Sequence, residues 1–299
     1  IVELRRKHPE RYVVSSRQLR FGDWSEKEEL SKAYTEYFSG ITRRTVYSAH
    51  GWFLDFERWG LPKPVYIGTI REPMARLLSH YDYLQAGPRS AVSLFRHKMP
   101  ARVDTAPSFE TCVRNYMDGD GSMERMWKCL HWANIQLKYY CGYADECKEA
   151  EAPALALATA NIRHHFAVVV VVERFAESLK LLEAFLPAFF EGLPEVFAKL
   201  GLSRVNAHNK DSSGAGNRGK GLRPATGGGE EQEHRDSRSS SRSSSSSIAQ
   251  RNDSLAAGGS TLSPAVRKFV VQMLRHETIL YKISEKRLLS QLQLCGFRR

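Results

Sequence analysis

The 299-residue sequence contains no apolar run near the ~20 residues a membrane-spanning helix needs; its longest unbroken one is Phe166–Val172. It has no Cys-x-x-Cys and no His-x-x-x-His, the spacings through which these residues commonly hold zinc, so no metal site is expected. No internal repeat is evident. Acidic residues are in deficit, 33 against 44 Lys and Arg, a formal charge of +11. Such an excess favours a polyanionic partner: nucleic acid, an anionic membrane, or a sulfated or phosphorylated substrate. The plainer alternative is a basic protein that is merely soluble.

Cysteine is scarce but clustered, with Cys112, Cys129, Cys141 and Cys147 close together and Cys295 left over. Cys141 and Cys147 close the short loop "CGYADEC". Two disulfides in a secretory compartment are the favoured reading, with buried free thiols of a cytosolic protein as the alternative. From Asp211 to Thr261 large apolar residues nearly vanish, and Gly, Ser, Arg and Glu dominate, through "SRSSSRSSSSS". A segment that poor in apolar surface cannot offset the entropy of ordering, so it is expected to be a disordered insertion. "NDS" at Asn252 is a glycosylation acceptor pattern within it.

Residues 1–44 read as charged and helical. "RTVYSAH" (44–50) reads as a short strand running into a loop that carries His50, and "KPVYIGTI" (63–70) as a second strand. After it, Met74, Leu77, Leu78, Tyr81 and Leu84 recur at helical spacing, with Pro73 suited to the first turn. "LFRHKMPAR" (94–102) is a basic loop. Residues 108–141 look helical, with Trp127 and Trp132 as core. "HHFAVVVVVERF" (164–175) holds a wholly apolar strand, as in the middle of a parallel sheet. An amphipathic helix over 176–193 follows, and a periodic helix resumes over 263–292. The strand–helix rhythm predicts an α/β fold with a parallel sheet.

Arg71 stands just past a strand end, where open α/β sheets bind ligands. Its planar fork suits a phosphate or sulfate. Ser79, two helical turns on, could donate to the same anion. Against this, Arg71 could simply pair with Glu72 or another acid, and Ser79 could be a small packing residue. His50 is a candidate general base near neutral pH, or else a hydrogen-bonded structural histidine. Arg96, His97, Lys98 and Arg102 could grip an acidic polymer, or form an ordinary solvated surface.

The stretch "VYSAHGWFLDFERWGLPKPVYIGTIREPMARLLSHYDYL" resembles the core of the uronyl 2-O-sulfotransferases, which act on heparan, dermatan or chondroitin chains. It carries their Tyr-x-x-His, the aromatic-Leu-Asp-Phe segment, and an Ile-Arg-(Asp/Glu)-Pro strand end with a serine eight residues beyond the arginine. "QLKYYCGYADEC", "VVVVVERFAESLKLLEAFLPAFFEGL", "GLSRVNAHNK" and the C-terminal helix follow in the family's order. Val172 replaces the usual Thr before Glu, and Ser48 stands where some members have a second histidine. The resemblance covers most of 1–210 and 262–290.

The resemblance implies a P-loop-NTPase-like sulfotransferase fold, a central parallel sheet flanked by helices. It implies one domain made of 1–210 and the helical part 262–299, interrupted by the insertion 211–261. It implies 3′-phosphoadenosine 5′-phosphosulfate as donor, no metal, and a sulfated glycosaminoglycan as acceptor, with no nucleic acid. His50 matches the catalytic base; Arg71 and Ser79 match the binders of the donor's 3′-phosphate. Arg204 resembles a basic residue of the late loop that closes over donor and acceptor. Arg96, or else Arg102, matches a position gripping acceptor sulfates and carboxylates. Cys112–Cys129 and Cys141–Cys147 are the implied disulfides. A Golgi-lumenal type II membrane protein, often trimeric, is the implied setting, the anchor lying upstream of Ile1. The family's phosphosulfate loop, Pro-Lys-x-x-x-Thr/Ser, has no counterpart in these residues. It is expected upstream of the isoleucine start, and the chain as written is expected to be poorly active or inactive. The competing expectation is a catalytically inactive polyanion-binding protein of the same fold. An RNA-binding reading of the Arg/Ser tract has no accompanying module signature.

Overall fold

The structure is a computed structural model that describes residues 13–15, 27–48, 51–85, 107–119, 129–200 and 262–297. All of these belong to one compact unit. The insertion 211–261, the basic loop 94–102, Trp127, His50 and Arg204 lie outside the described residues.

Among the described residues the strands form two parallel pairs rather than one central sheet. β1 (Val13–Ser15) pairs with β2 (Thr45–Tyr47), and β3 (Tyr66–Ile70) pairs with β4 (Phe166–Val171). β1 falls in the region 1–44 expected to be helical, and helix α1 (Lys27–Ser39) in the same region is helical as expected; residues 1–12 and 16–26 lie outside the described residues. In β4, Val168, Val169, Val170 and Val171 are all buried, as a strand covered on both faces must be. β3 alternates, with Gly68 and Ile70 inward and Ile67 and Thr69 exposed. Gly68 is required there: a Cβ would stand 2.5 Å from the Tyr140 hydroxyl oxygen.

Helix α2 (Pro73–Gln85) leaves directly from the end of β3. Its first turn is capped by Glu72, whose carboxylate accepts from Met74 N–H at 3.1 Å and Ala75 N–H at 2.6 Å. An acid at this position also complements the helix dipole. The span expected to be helical over 108–141 contains α3 (Phe109–Asp118), capped by Ser108, and α4 (Ile135–Cys141). Immediately before α4, residues 129–134 form a turn in which Asn134 adopts left-handed backbone, φ 60°. Trp132 is half-buried in that turn rather than part of the core.

Helix α5 (Ala152–His164) was not anticipated from the sequence. Ala154, Ala158 and Ile162 give it a narrow buried stripe, and Asn161 donates to the Tyr140 and Cys141 carbonyls at 2.9 and 3.0 Å. The helix expected over 176–193 is split into α6 (Phe175–Phe185) and α7 (Pro187–Phe190), because Pro187 cannot continue the hydrogen-bond ladder. α8 (Leu193–Lys199) follows. The long C-terminal periodicity likewise divides at Leu274 into α9 (Pro264–Met273) and α10 (Arg275–Leu294).

β3, β4, α4, α5, α6 and α10 share the larger core, with Leu137, Leu181, Leu280 and Leu288 at its centre. α2, α3 and α9 share a second, around Leu77, Val113 and Val270. Ser263, the cap of α9, is fastened to α3: its N–H and hydroxyl both donate to Glu110, at 3.1 and 2.7 Å. Disulfide Cys112–Cys129 lies within the second core, and Cys141–Cys147 ties the end of α4 to the turn beyond it. Cys295 carries no disulfide.

Candidate functional site

β3 delivers Arg71 at its carboxyl end, and Pro73 starts α2 two residues later, so the arginine occupies the corner between strand and helix. Because Glu72 is engaged as the cap of α2, the simplest ion-pair partner for Arg71 is committed elsewhere. Two other arginines near the strand ends are paired. Arg76 Nε donates to Glu277 Oε1 at 3.1 Å, and Arg174 bonds Glu177 and Glu285. The Arg71 guanidinium has no ion pair or hydrogen bond to a described residue, and the same holds for the Ser79 hydroxyl. Both residues are half-buried. Ser79 lies one helical turn beyond Arg76 on α2.

The backbone at the corner is held from two sides. Arg71 N–H donates to Gln136 Oε1 at 2.7 Å, and Gln136 Nε2 donates back to the Arg71 carbonyl at 2.9 Å. The same Nε2 donates to Glu277 Oε1 at 2.6 Å. Glu72 N–H donates to Glu173 Oε1 at 2.9 Å, and Tyr281 donates its hydroxyl to Glu173 Oε2 at 3.1 Å. Burial pushes the Glu277 carboxyl above the usual range, against the opposing pull of Arg76 and Gln136.

On the next residue of α2, His80 meets the Trp132 ring edge-on with centroids 5.3 Å apart, and His131 meets the same ring at 4.7 Å. Burial pushes His80 down to about 4, with the Arg76 charge adding to it. Burial also pushes His131 down to about 4, helped by His80 and Lys138. Both imidazoles are neutral at neutral pH.

The structure thus brings Arg71 and Ser79 to one strand end and its departing helix. Cys112, Cys129, Cys141 and Cys147 are joined in the pairs implied by the resemblance. His50, Arg96, Arg102 and Arg204 lie outside the described residues. Among the described residues no group of His, Cys, Asp and Glu is arranged to hold a metal, and no helix is long and apolar enough to cross a membrane. Gln136, Glu277 and Arg76 were not singled out from the sequence. The signal for Glu277 was there: it occupies the stripe that continues through Leu280, Ser284, Leu288 and Leu292, where a lone carboxylate among buried positions is anomalous.

No family model matches the chain. Sequence similarity does connect it to characterised proteins. It is 35% identical over 163 residues to the Caenorhabditis elegans heparan sulfate 2-O-sulfotransferase hst-2, covering 54% of this chain and 46% of that one. It is 33% identical to Xenopus laevis heparan sulfate 2-O-sulfotransferase 1 and 32% identical to the Homo sapiens protein of the same name, each over 153 residues. Those two alignments cover 50% of this chain and 40% of the relative. The chain therefore spans less than half the length of the curated relatives it matches. Over about half of its length the chain is thus similar to heparan sulfate 2-O-sulfotransferases, in keeping with the resemblance its ordered motifs carry.

Proposed function

We propose that this protein transfers a sulfuryl group from 3′-phosphoadenosine 5′-phosphosulfate to the 2-hydroxyl of a uronic acid in a glycosaminoglycan chain. The observation that carries the reading is the Arg71 guanidinium, which has no partner among the described residues at the end of β3. In this reading Arg71 and Ser79 hold the donor's 3′-phosphate, and Arg204 closes over the donor from the late loop. Arg96, or else Arg102, grips the anionic acceptor. His50 takes the proton of the 2-hydroxyl as that oxygen attacks sulfur. The bond from sulfur to the bridging phosphate oxygen breaks, and 3′-phosphoadenosine 5′-phosphate departs with the electron pair. A positioned base contributes on the order of 10²–10⁴-fold to such a step. Cations and helix-terminal N–H groups near the departing phosphate contribute electrostatically.

The same reading takes residues 1–210 and 262–299 as a single P-loop-like sulfotransferase domain around the insertion 211–261, working in the Golgi lumen on sulfated glycosaminoglycan. Neutral His80 and His131 are poor candidates to replace His50, since both are engaged with the Trp132 ring. The test is transfer of labelled sulfate from the donor to desulfated heparin or dermatan by the full-length protein. His50→Ala is expected to abolish transfer while leaving binding of 3′-phosphoadenosine 5′-phosphate in place. Near wild-type transfer by that variant would remove His50 as the base. A wild-type protein that binds heparin but transfers nothing would mark an inactive polyanion-binding protein instead.

A further inference from the structure

We propose that Gln136 is the positioning residue for Arg71, and that buried Glu277 locks Gln136 to Arg76 so that Arg71 and Ser79 are held in one fixed register. This rests on the reading of Arg71 and Ser79 as the 3′-phosphate clamp. The residue that follows a strand loses its ladder partners, and its backbone N–H and C=O must find others. At Arg71 one side-chain amide supplies both: Gln136 Oε1 accepts from the N–H, and Nε2 donates to the carbonyl. Two bonds from one planar group fix the orientation of the Arg71 peptide units, and with it the direction in which the Cα–Cβ bond leaves the corner.

The amide itself cannot turn over. Its Nε2 also donates to Glu277 Oε1, and a flipped amide would set its oxygen against that carboxylate. Glu277 Oε1 in turn accepts from Arg76 Nε, while Arg76 Nη2 donates to the Trp132 carbonyl at 2.7 Å. Arg76 sits on the helix that carries Ser79, a rise of about 4.5 Å earlier. One carboxylate oxygen therefore ties the Arg71 backbone, through Gln136, to the α2 turn that precedes Ser79.

A stabilising role alone explains this network badly. Glu277 is fully buried, and its Oε2 has no hydrogen-bond partner among the described residues. Well-packed apolar side chains of similar volume commonly do as well or better for stability than a buried ion pair. What the polar arrangement supplies, and an apolar one does not, is a single defined geometry for the strand end. Groups that orient metal ligands from behind matter about 10–100-fold in affinity, and other binding residues likewise depend on neighbours that lock their geometry.

The experiment is calorimetric titration of the full-length protein with 3′-phosphoadenosine 5′-phosphate, in wild type, Arg71→Ala, Gln136→Leu and the double variant. Gln136→Leu is expected to weaken binding about 10–100-fold. In the Arg71→Ala background it is expected to have no further effect, since it acts only through Arg71. Glu277→Gln, which keeps an acceptor for Gln136 and Arg76, is expected to bind more tightly than Glu277→Ala. Should Gln136→Leu fail to fold, Gln136→Asn carries the same groups on a shorter arm and serves in its place. Unchanged affinity in the Gln136 variant, or an equal loss with and without Arg71, overturns the positioning role. If instead Arg71→Ala binds as tightly as wild type, the reading of Arg71 as the phosphate binder falls, and this proposal falls with it.

Discussion

Glu72 accepts a 2.6 Å hydrogen bond from the backbone N–H of Ala75, so the acid next to the candidate anion-binding arginine is a helix cap and not its counter-ion. Removing it should therefore cost stability. Glu72→Ala is expected to lower unfolding free energy by about 1 kcal/mol, as loss of an N-cap typically does. Urea denaturation measures this, and Glu72→Asp, a good capping residue, should recover most of the loss.

Arg71→Ala should weaken binding of 3′-phosphoadenosine 5′-phosphate by tenfold or more, since a charge-assisted bond to phosphate is worth on the order of 1.5–3 kcal/mol. Thermal stability should change little, because the guanidinium has no hydrogen bond or ion pair to a described residue. Titration of folded variant protein separates the two effects. Equal affinity would refute the anion role.

The packing of Gly68 against Tyr140 makes two opposite predictions. Gly68→Ala should destabilise by about 1–3 kcal/mol, because its new methyl group would overlap the Tyr140 ring and hydroxyl. Tyr140→Phe should be neutral or slightly stabilising, because the hydroxyl it removes is buried without a hydrogen-bond partner among the described residues. Thermal melts of both variants at one pH test the pair.

Acid should loosen the contact between α2 and the 129–134 turn. His80 and His131 are held down to about 4 in the folded state, from an ordinary value of 6.5. The unfolded chain therefore takes up their protons first as pH falls. Their contribution is complete above pH 6.5 and is lost progressively as pH drops towards 4. Melting temperatures between pH 7 and 4.5 should fall, and more shallowly for His80→Gln. A slope identical to wild type would rule out His80 as a source.

Cys112→Ser with Cys129→Ser should lower stability by roughly 2–4 kcal/mol, as expected for a loop whose ends are 17 residues apart. Denaturation of the Cys112/Cys129 double variant under non-reducing conditions measures it, alongside a Cys295→Ser control that should behave as wild type.

Much of this site was legible because its grammar is local. A β-branched run, an arginine, a proline and a 3.6-residue apolar period all lie within Tyr66–Gln85, and they yield β3, the corner and α2 at nearly their observed bounds. Helix α5 escaped because its buried face is alanine, whose small side chain leaves only a weak periodic signal. The breaks at Leu186 and Leu274 were hidden by apolar periodicity that carries on across them. The Gln136–Glu277 bond was beyond any local pattern, since 141 residues separate the partners and only tertiary packing decides which helix meets which strand end. The pairing of Arg71 with Glu72 was the natural local guess, and the cap of α2 displaced it.

The last helix also has a consequence for inheritance. α10 supplies both Leu280 and Leu288 to the core beneath β4 and the Glu277 carboxylate to which Gln136 donates. A premature stop codon or an altered splice that removed residues beyond Leu274 would leave every motif of the early core intact in the gene. Its product would nonetheless lack the Glu277 carboxylate that fixes Gln136, so screening the conspicuous motifs alone would miss such an allele.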